Sequence, residues 1–351
     1  MTDADKHSTG QGAAPTIGRL DGFQRSHPVV GFPLAVFYKY FDDQGAYLSA
    51  IITYYAFIAI FPLLLLATSI LGFVLRGNPE LQQTLLNSAL SQFPIIGEQL
   101  GKPESLTGST SAIVVGSLAA TYGAMGLGQA AQNAANIAWS VPRNSRANPF
   151  LLRFRSLVLL LIGGIGILVL AVVTSVLANP DALGGELAPT LGLLIRAAGS
   201  LLTLAIFAAL FRLVSADRAG WRSVLPGAIV TTVLWQGLQY FGNTYVREVI
   251  GKASTMNQTF ALVLGLLAFI YIASIMVVMG LEVNVVLRRH LYPRALLTPF
   301  TDNVVLTEAD QKAYSAYAKS QRHKGFQSVE VTFQDREARP PDGTKASDPA
   351  S

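Results

Sequence analysis

The chain has 351 residues and carries 26 basic and 21 acidic side chains, together 13%. That is about half the charged share of an ordinary soluble domain. Hydrophobic residues make up 51%, and the mean hydropathy is +0.42. These values exclude a disordered chain, argue against a soluble enzyme and favour a multispan membrane protein. Because the chain has no cysteine, disulfides, thiolate catalysis, iron–sulfur clusters and cysteine-based zinc sites are excluded.

The charges lie mainly at the two ends of the chain. Residues 1–45 contain four Lys or Arg and five Asp or Glu, and residues 291–351 contain eight of each. The 245 residues between them contain 14 basic and eight acidic side chains, so the net excess of +5 arises in the apolar middle. Nucleic-acid-binding proteins usually carry basic charge on a polar face or tail. The pattern therefore predicts a lipid bilayer, and no nucleic acid, as the partner.

Six stretches reach the roughly 20 mostly apolar residues that a membrane-spanning helix needs. They are residues 46–75, 110–139, 154–178, 191–215, 223–246 and 259–287. Buried helices of soluble proteins are usually shorter and keep a polar face. The sequence therefore predicts an all-α integral membrane protein in which residues 46–290 form a bundle of six transmembrane helices.

Arginine alternates between the loops that connect these spans. The loops after the second and fourth spans and the end of the sixth span hold nine Arg against one Asp. The other three loops hold four basic and six acidic residues. Since positively charged loops stay on the cytoplasmic side, we expect the arginine-bearing loops and both termini to be cytoplasmic. The nine arginines are Arg143, Arg146, Arg153, Arg155, Arg212, Arg218, Arg222, Arg288 and Arg289.

The segments on either side of the bundle are more polar. Residues 1–45 are predicted to form a cytoplasmic segment, in which 33–45 mixes aromatic and charged residues at the spacing of an interfacial helix. Residues 291–351 are predicted to form a cytoplasmic tail. The sequence at Thr307–Asp310 is typical of a helix N-cap, whereas 334–351 is charged, contains Pro and Gly and is expected to be disordered.

The second span combines a stripe of small residues with a cluster of amides. Small residues recur every four positions, which allows another helix to approach closely. Gln129, Gln132, Asn133 and Asn136 follow on one helical face toward the cytoplasmic end. These amides either lie at the level of the lipid headgroups or line a polar substrate path. The small residues are Ala112, Gly116, Ala120, Ala124 and Gly128.

Polar side chains also occur inside the fifth and sixth spans. Gln236, Gln239 and Asn243 share one face of the fifth span, where unpaired amides would be costly in hydrocarbon. They therefore either bond to other helices or face a wet cavity. Glu282 lies in the last turns of the sixth span, where it either pairs with an arginine near the interface or serves a function. Asn284 is two residues away and so points in another direction.

Pro62 interrupts the middle of the first span, where proline removes a backbone hydrogen bond and bends the helix. Tyr54 and Tyr55 lie about two turns earlier. The bend is either a fixed packing feature or, with the tyrosine hydroxyls nearby, part of a binding or hinge point.

The sequence lacks the motifs of soluble catalytic chemistry. No phosphate-binding GxxxxGK[ST] motif, no HExxH motif and no GxSxG motif is present. The four histidines are far apart in sequence and lie outside or at the edge of the spans. We therefore expect no catalytic residues, no metal site and no cofactor, and a metal-dependent nuclease is disfavoured.

Four motifs together resemble the YihY/BrkB family of bacterial inner-membrane proteins. They are YYAFIAIFPLLLL at 54–66, NAANIAWSVPR at 133–143, LPGAIVTTVLWQ at 225–236 with the following FGNTYV, and MGLEVN at 279–284. The resemblance covers about residues 30–292. It implies a six-span protein of the bacterial cytoplasmic membrane with both termini inside. The family once carried a ribonuclease label, some members are described as virulence factors, and no transport substrate is settled.

Two functions follow as hypotheses. The first is transport or lipid translocation in envelope maintenance, with a polar cavity that accepts a lipid or a small molecule. The second is a structural or scaffolding role, in which the cytoplasmic tail recruits partners. A homo-oligomer is compatible with both. The candidate cavity residues are Tyr54, Tyr55, Gln132, Asn133, Asn136, Gln236, Gln239, Asn243, Glu282 and Asn284, with Pro62 as a helix kink.

Overall fold

The computed structural model describes residues 15–74, 110–178, 188–215, 220–245, 248, 255–301 and 304–334. Within these ranges the extended regular elements are α-helices, and none is a strand. The helices are α1 (Pro15–Ser26), α2 (Pro28–Asp42), α3 (Gly45–Val74), α4 (Thr110–Ala138), α5 (Pro149–Ala178), α6 (Ala188–Val214), α7 (Trp221–Tyr245), α8 (Thr255–Arg289) and α9 (Glu308–Ser320).

Each of the six predicted apolar segments forms one helix, from α3 to α8. The largest differences at the helix starts are in α5 and α8, which begin five and four residues before the predicted span. At α5 the reason is local: Asn148 Oδ1 accepts the backbone N–H of Leu151 at 2.8 Å, and Pro149 occupies the first turn. Helix α3 continues to Val74, but the side chain of Pro62 lies outside the described ones, so the predicted bend there stays a prediction.

The six long helices form a closed ring. Each helix from α3 to α7 packs against the next helix along the chain, and α8 packs against α3, which closes the ring. Additional contacts of α4 with α6 and α8 cross the ring. Helix α2 packs against α8 from outside the ring, burying Ala35, Val36 and Tyr38. This short helix begins at Pro28, earlier than the predicted interfacial segment.

Three helices within the described residues are long and apolar enough to cross a membrane. They are Pro149–Val173 in α5, Gly192–Val214 in α6 and Phe260–Arg289 in α8. In α3 the described apolar stretch, Gly45–Ile60, is shorter. Many large apolar side chains on these helices are exposed, as expected for surfaces that face lipid.

The arginine-bearing loops meet at one end of the ring, which we name the basic end. The Arg289 guanidinium donates to the backbone carbonyl of Trp139, joining the ends of α8 and α4. The Arg212 guanidinium lies 4.5 Å from the centre of the Trp221 ring, joining the end of α6 to the start of α7. Two of the predicted cytoplasmic arginines, Arg212 and Arg289, therefore bind helix ends within the described part of the bundle.

Helices α7 and α8 approach most closely at Gly227. A Cβ atom at this position would lie 2.0 Å from the carbonyl oxygen of Gly280. The Gly227 N–H also donates to Asn284 Oδ1 at 2.7 Å, so a buried amide fixes the same contact. Elsewhere, Ala124 and Gly128 of the predicted small-residue stripe are buried in α4, and a Cβ at Gly128 would lie 2.5 Å from Ser156 of α5. Close helix packing therefore depends on these small residues.

Replacing Gly227 by Ala is expected to destabilise the protein by about 1–3 kcal/mol, because a backbone carbonyl cannot move aside as a side chain can. The matched control is Gly237→Ala on the same helix, where a Cβ has no neighbour within 4 Å. That change should be neutral or slightly stabilising. Thermal unfolding of the purified proteins in detergent measures both. Equal melting temperatures for the two variants would contradict the close contact.

The segment after α8 is held against the bundle by one buried arginine. The Arg294 side chain is fully buried; its Nε donates to Asp310 Oδ1 at 2.6 Å and its Nη1 to Asp42 Oδ2 at 2.5 Å. Asp310 also accepts the backbone N–H of Thr307 and of Ala295, each at 2.9 Å. The predicted N-cap at Thr307 is confirmed as a capping box. Arg294 therefore joins α2 to α9, a link that the sequence analysis did not foresee.

Replacing Arg294 by Gln should release α9, because two buried carboxylates would lose their cation, at a cost of about 3–5 kcal/mol. Amide hydrogen exchange in α9 should then be faster by about a hundredfold or more. The control is Lys312→Gln, which removes an exposed pair with Glu308 and should change exchange little. Unchanged protection of α9 in the Arg294 variant would show that the arginine is not what holds this segment.

Candidate functional site

A polar cavity opens at the basic end between α3, α4 and the start of α5. Its volume is about 300 Å³. Helix α3 contributes one wall, α4 the opposite wall, and the loop before α5 the outer rim. The lining residues are Ile51, Tyr55, Gly126, Gln129, Ala130, Asn133, Asn136, Arg146 and Leu152.

The polar wall of the cavity is one face of α4. Gln129, Asn133 and Asn136 are spaced at i, i+4 and i+7, which places them above one another on the helix. Asn136 is buried within the protein, yet its side chain forms no hydrogen bond with any other residue that the structure describes. Neither of its side-chain polar atoms is fully buried without a partner, so the amide is accessible from the cavity to water or a ligand. The cavity supplies the space for such a partner.

Tyr55 forms the facing wall and fits there because α4 has a glycine opposite it. A Cβ at Gly126 would lie 2.1 Å from the Tyr55 ring, so only glycine lets the ring lie against the helix backbone. The Tyr55 ring also lies 5.2 Å from the Tyr54 ring and 6.3 Å from the Tyr122 ring, measured between centroids. Tyr55 therefore lines the cavity, and Tyr54 and Tyr122 continue the aromatic group outside it.

Arg146 supplies the charge at the rim. Its Nη1 donates to Asn133 Oδ1 at 3.2 Å, and its Nε donates to the carbonyl of Val141 at 3.4 Å. Within the described part of the chain, Arg146 forms no ion pair. Burial, and then the neighbouring Arg143, lower the pKa of the Arg146 guanidinium, which nevertheless stays protonated.

A second polar group lies just beyond the end of α4, where Lys39 joins three helices. Its ammonium donates to the carbonyl of Ala138 at 3.1 Å, contacts the carboxylate of Asp43, and lies 3.6 Å from Glu282 Oε2. All three charged side chains are at most 4% exposed. Burial lowers the pKa of Lys39, but Glu282 and Asp43 raise it by more, so the ammonium stays charged. We name Lys39, Asp43 and Glu282 the lysine cluster.

The structure places three of the ten predicted cavity residues in this cavity: Tyr55, Asn133 and Asn136. Glu282 belongs to the lysine cluster and pairs with Lys39, not with one of the arginines near the interface. Asn284 points away from Glu282, as predicted, and binds Gly227.

The remaining predicted residues lie elsewhere. Gln132 turns toward α5, where its Nε2 donates to Ser156 Oγ at 2.9 Å and to the carbonyl of Leu152 at 3.0 Å. Tyr54 is 58% exposed on the outer face of α3. On α7, Gln236 and Asn243 are exposed and Gln239 is half-buried, and none of the three lines the cavity.

Sequence reasoning missed Arg146 and Lys39 as site residues, whereas it placed Gln129 on the amide face that lines the cavity. Arg146 was used only as one of the loop charges that predict the membrane orientation, although it follows the amide face closely in sequence. Lys39 and Asp43 are four residues apart in an aromatic helix, and this i, i+4 pair was the available signal for a buried charge. Within the ranges that the structure describes, no three His, Asp or Glu side chains are grouped so that they could hold a metal ion.

Comparison with known proteins identifies the family. The family described as virulence factor BrkB matches residues 36–301, a region that contains α3 to α8, the cavity and the lysine cluster. Comparisons with curated proteins and with solved structures yield no match. The matched region is well over half of the chain, and three of its helices are apolar and long enough to cross a bilayer. The chain is therefore a membrane protein of the virulence factor BrkB family.

Proposed function

We propose that this protein moves a lipid or a small molecule across the bacterial cytoplasmic membrane, with the cavity at the basic end as its entry site. The observation that carries the proposal is the cavity itself: five polar side chains, among them the mostly buried Asn136, line an open space of about 300 Å³ between otherwise apolar helices. A purely structural bundle would gain stability by filling such a space with apolar side chains.

The proposal includes a topology of six crossings with both termini in the cytoplasm. Two observations support it: α3 to α8 form a closed ring, and the arginine-bearing loops meet at one end. The positive-inside rule assigns that end to the cytoplasm. The cavity then opens to the cytoplasm or to the inner leaflet.

Helices α3 and α4, which both line the cavity, also approach each other closely at Gly123. A Cβ at Gly123 of α4 would lie 3.0 Å from the backbone of Ala59 on α3. This contact lies about one helical turn from Tyr55 and Gly126 along the two helices. In the proposed mechanism, a substrate that passes between α3 and α4 requires these helices to separate at this contact.

Transport is preferred over scaffolding because the cavity gives transport a site. The scaffolding hypothesis assigns partner recruitment to the cytoplasmic tail. The structured part of that tail, α9, is held against the bundle through Asp310 and Arg294. The tail beyond residue 334 lies outside the described residues.

Single cysteines test the cavity, since the chain has none of its own. Ala130→Cys and Asn136→Cys should react with a membrane-impermeant maleimide in inverted membrane vesicles, because both positions line the cavity. In spheroplasts, where only the outer face is accessible, both should be protected. The matched control is Ala134→Cys on the same helix, which is 1% exposed, does not line the cavity and should stay unreactive in both preparations.

The proposed function fails if Ala130→Cys and Asn136→Cys react no faster than Ala134→Cys in inverted vesicles. Reaction in spheroplasts but not in inverted vesicles would contradict the orientation.

A further inference from the structure

Every polar side chain that the structure describes in the cavity lining can donate hydrogen bonds, and none of them is an acid. The polar members are Tyr55, Gln129, Asn133, Asn136 and Arg146, and no Asp or Glu is among them. Arginine only donates, whereas amides and a tyrosine hydroxyl both donate and accept. Such a set is complementary to a ligand that is rich in acceptor oxygens.

The charge of Arg146 is not neutralised by the protein groups described around it. Its hydrogen-bond acceptors are the neutral Asn133 amide and a backbone carbonyl. The charged group that acts on it most is another cation, Arg143. Because Arg146 occupies the Oδ1 atom of Asn133, the Nδ2 group of Asn133 remains to donate to a ligand.

Four acids that the structure describes near the basic end already have cationic partners. Asp43 and Glu282 face the Lys39 ammonium, and Asp42 and Asp310 face the Arg294 guanidinium. None of these four lines the cavity. These two buried cations therefore bind the four described acids, and within the described residues the charge of Arg146 at the cavity has no acidic partner.

From this arrangement we propose that the cavity binds the phosphate group of a phosphate ester, with Arg146 as its cation and Asn133, Asn136 and Tyr55 as further donors. A guanidinium presents its donors in a fork that matches phosphate oxygens, and these charge-assisted bonds are stronger than neutral ones. A volume of about 300 Å³ is at the lower end of ligand pockets and accommodates a phosphate with a small polar substituent. This inference rests on the proposed function, because the cavity must be open.

Two sources can supply this chemistry: the headgroup of a phospholipid, or a free phosphate ester from the cytoplasm. The surface next to the cavity is apolar and aromatic. Ile51, Tyr54 and Tyr122 are 45%, 58% and 64% exposed on the outside of α3 and α4. In a bilayer these side chains face acyl chains and interfacial groups, so a lipid would reach the cavity from the side with its tails outside the ring.

The test uses the Ala130→Cys protein in maltoside detergent, which contains no phosphate, and follows the rate of maleimide modification. One arm adds glycerol 3-phosphate, and the other adds phosphatidylglycerol in mixed micelles. Glycerol and diacylglycerol, which lack the phosphate, are the matched additives, and all samples have equal ionic strength. We expect at least one phosphate compound to slow the modification by about tenfold at saturation, while glycerol and diacylglycerol have no effect.

Arg146→Gln in the same background should raise the concentration needed for half-protection by about tenfold or more, because a charge-assisted contact is lost. Arg146→Lys should recover part of the affinity. Arg143→Gln is the control: this exposed arginine does not line the cavity, so its variant should be protected like the parent. Unchanged thermal unfolding of each variant shows that the fold is intact.

Protection in only one arm identifies the source of the phosphate. Modification that neither phosphate compound slows would overturn the phosphate site while leaving the proposed function in place. Equal weakening by Arg146→Gln and Arg143→Gln would also overturn it, because the effect would then be general charge. If Ala130→Cys does not react at all, the proposed function fails as well.

Discussion

The structure depends above all on the contact of one buried ammonium with three helices. Lys39 of α2 holds the final carbonyl of α4 and faces acids at the end of α2 and inside α8. A charge can be buried at this depth only when it is paired and hydrogen-bonded. The contact therefore fixes α2 on the bundle and fixes where α4 ends, and the position of that end sets the direction of Asn133 and Asn136.

Several charged side chains described at the basic end lie either in buried ion pairs or at the cavity. Lys39 and Arg294 form mostly buried ion pairs with four acids, whereas Arg146 lines the open cavity. A bundle that only had to be stable would pair Arg146 too, or expose it fully to water. Arg146, which forms no ion pair with a described residue, and Asn136 line the same cavity, and the proposed ligand site would use both.

The sequence predicted the helices better than the site. Apolar length and arginine alternation are local signals. All six segments form helices, and the described helix ends lie within a few residues of the predicted ones. The site depends on which neighbour each helical face meets. Gln132 and Asn136 were assigned to one face, but Gln132 turns to Ser156 of α5 while Asn136 lines the cavity. The partners of Lys39 include Glu282, more than 200 residues away in sequence, and no local pattern reveals such a pair.

The central claim is that Lys39 holds the end of α4 in place, and amide hydrogen exchange in the Lys39→Met protein tests it directly. The amides of Trp139 and Ser140, which bond to Ala135 and Ile137, should exchange about a hundredfold faster than in the unchanged protein. Lys312→Met, which alters an exposed lysine on α9, should leave them protected. Equal protection of these amides in the Lys39→Met and unchanged proteins would contradict the account.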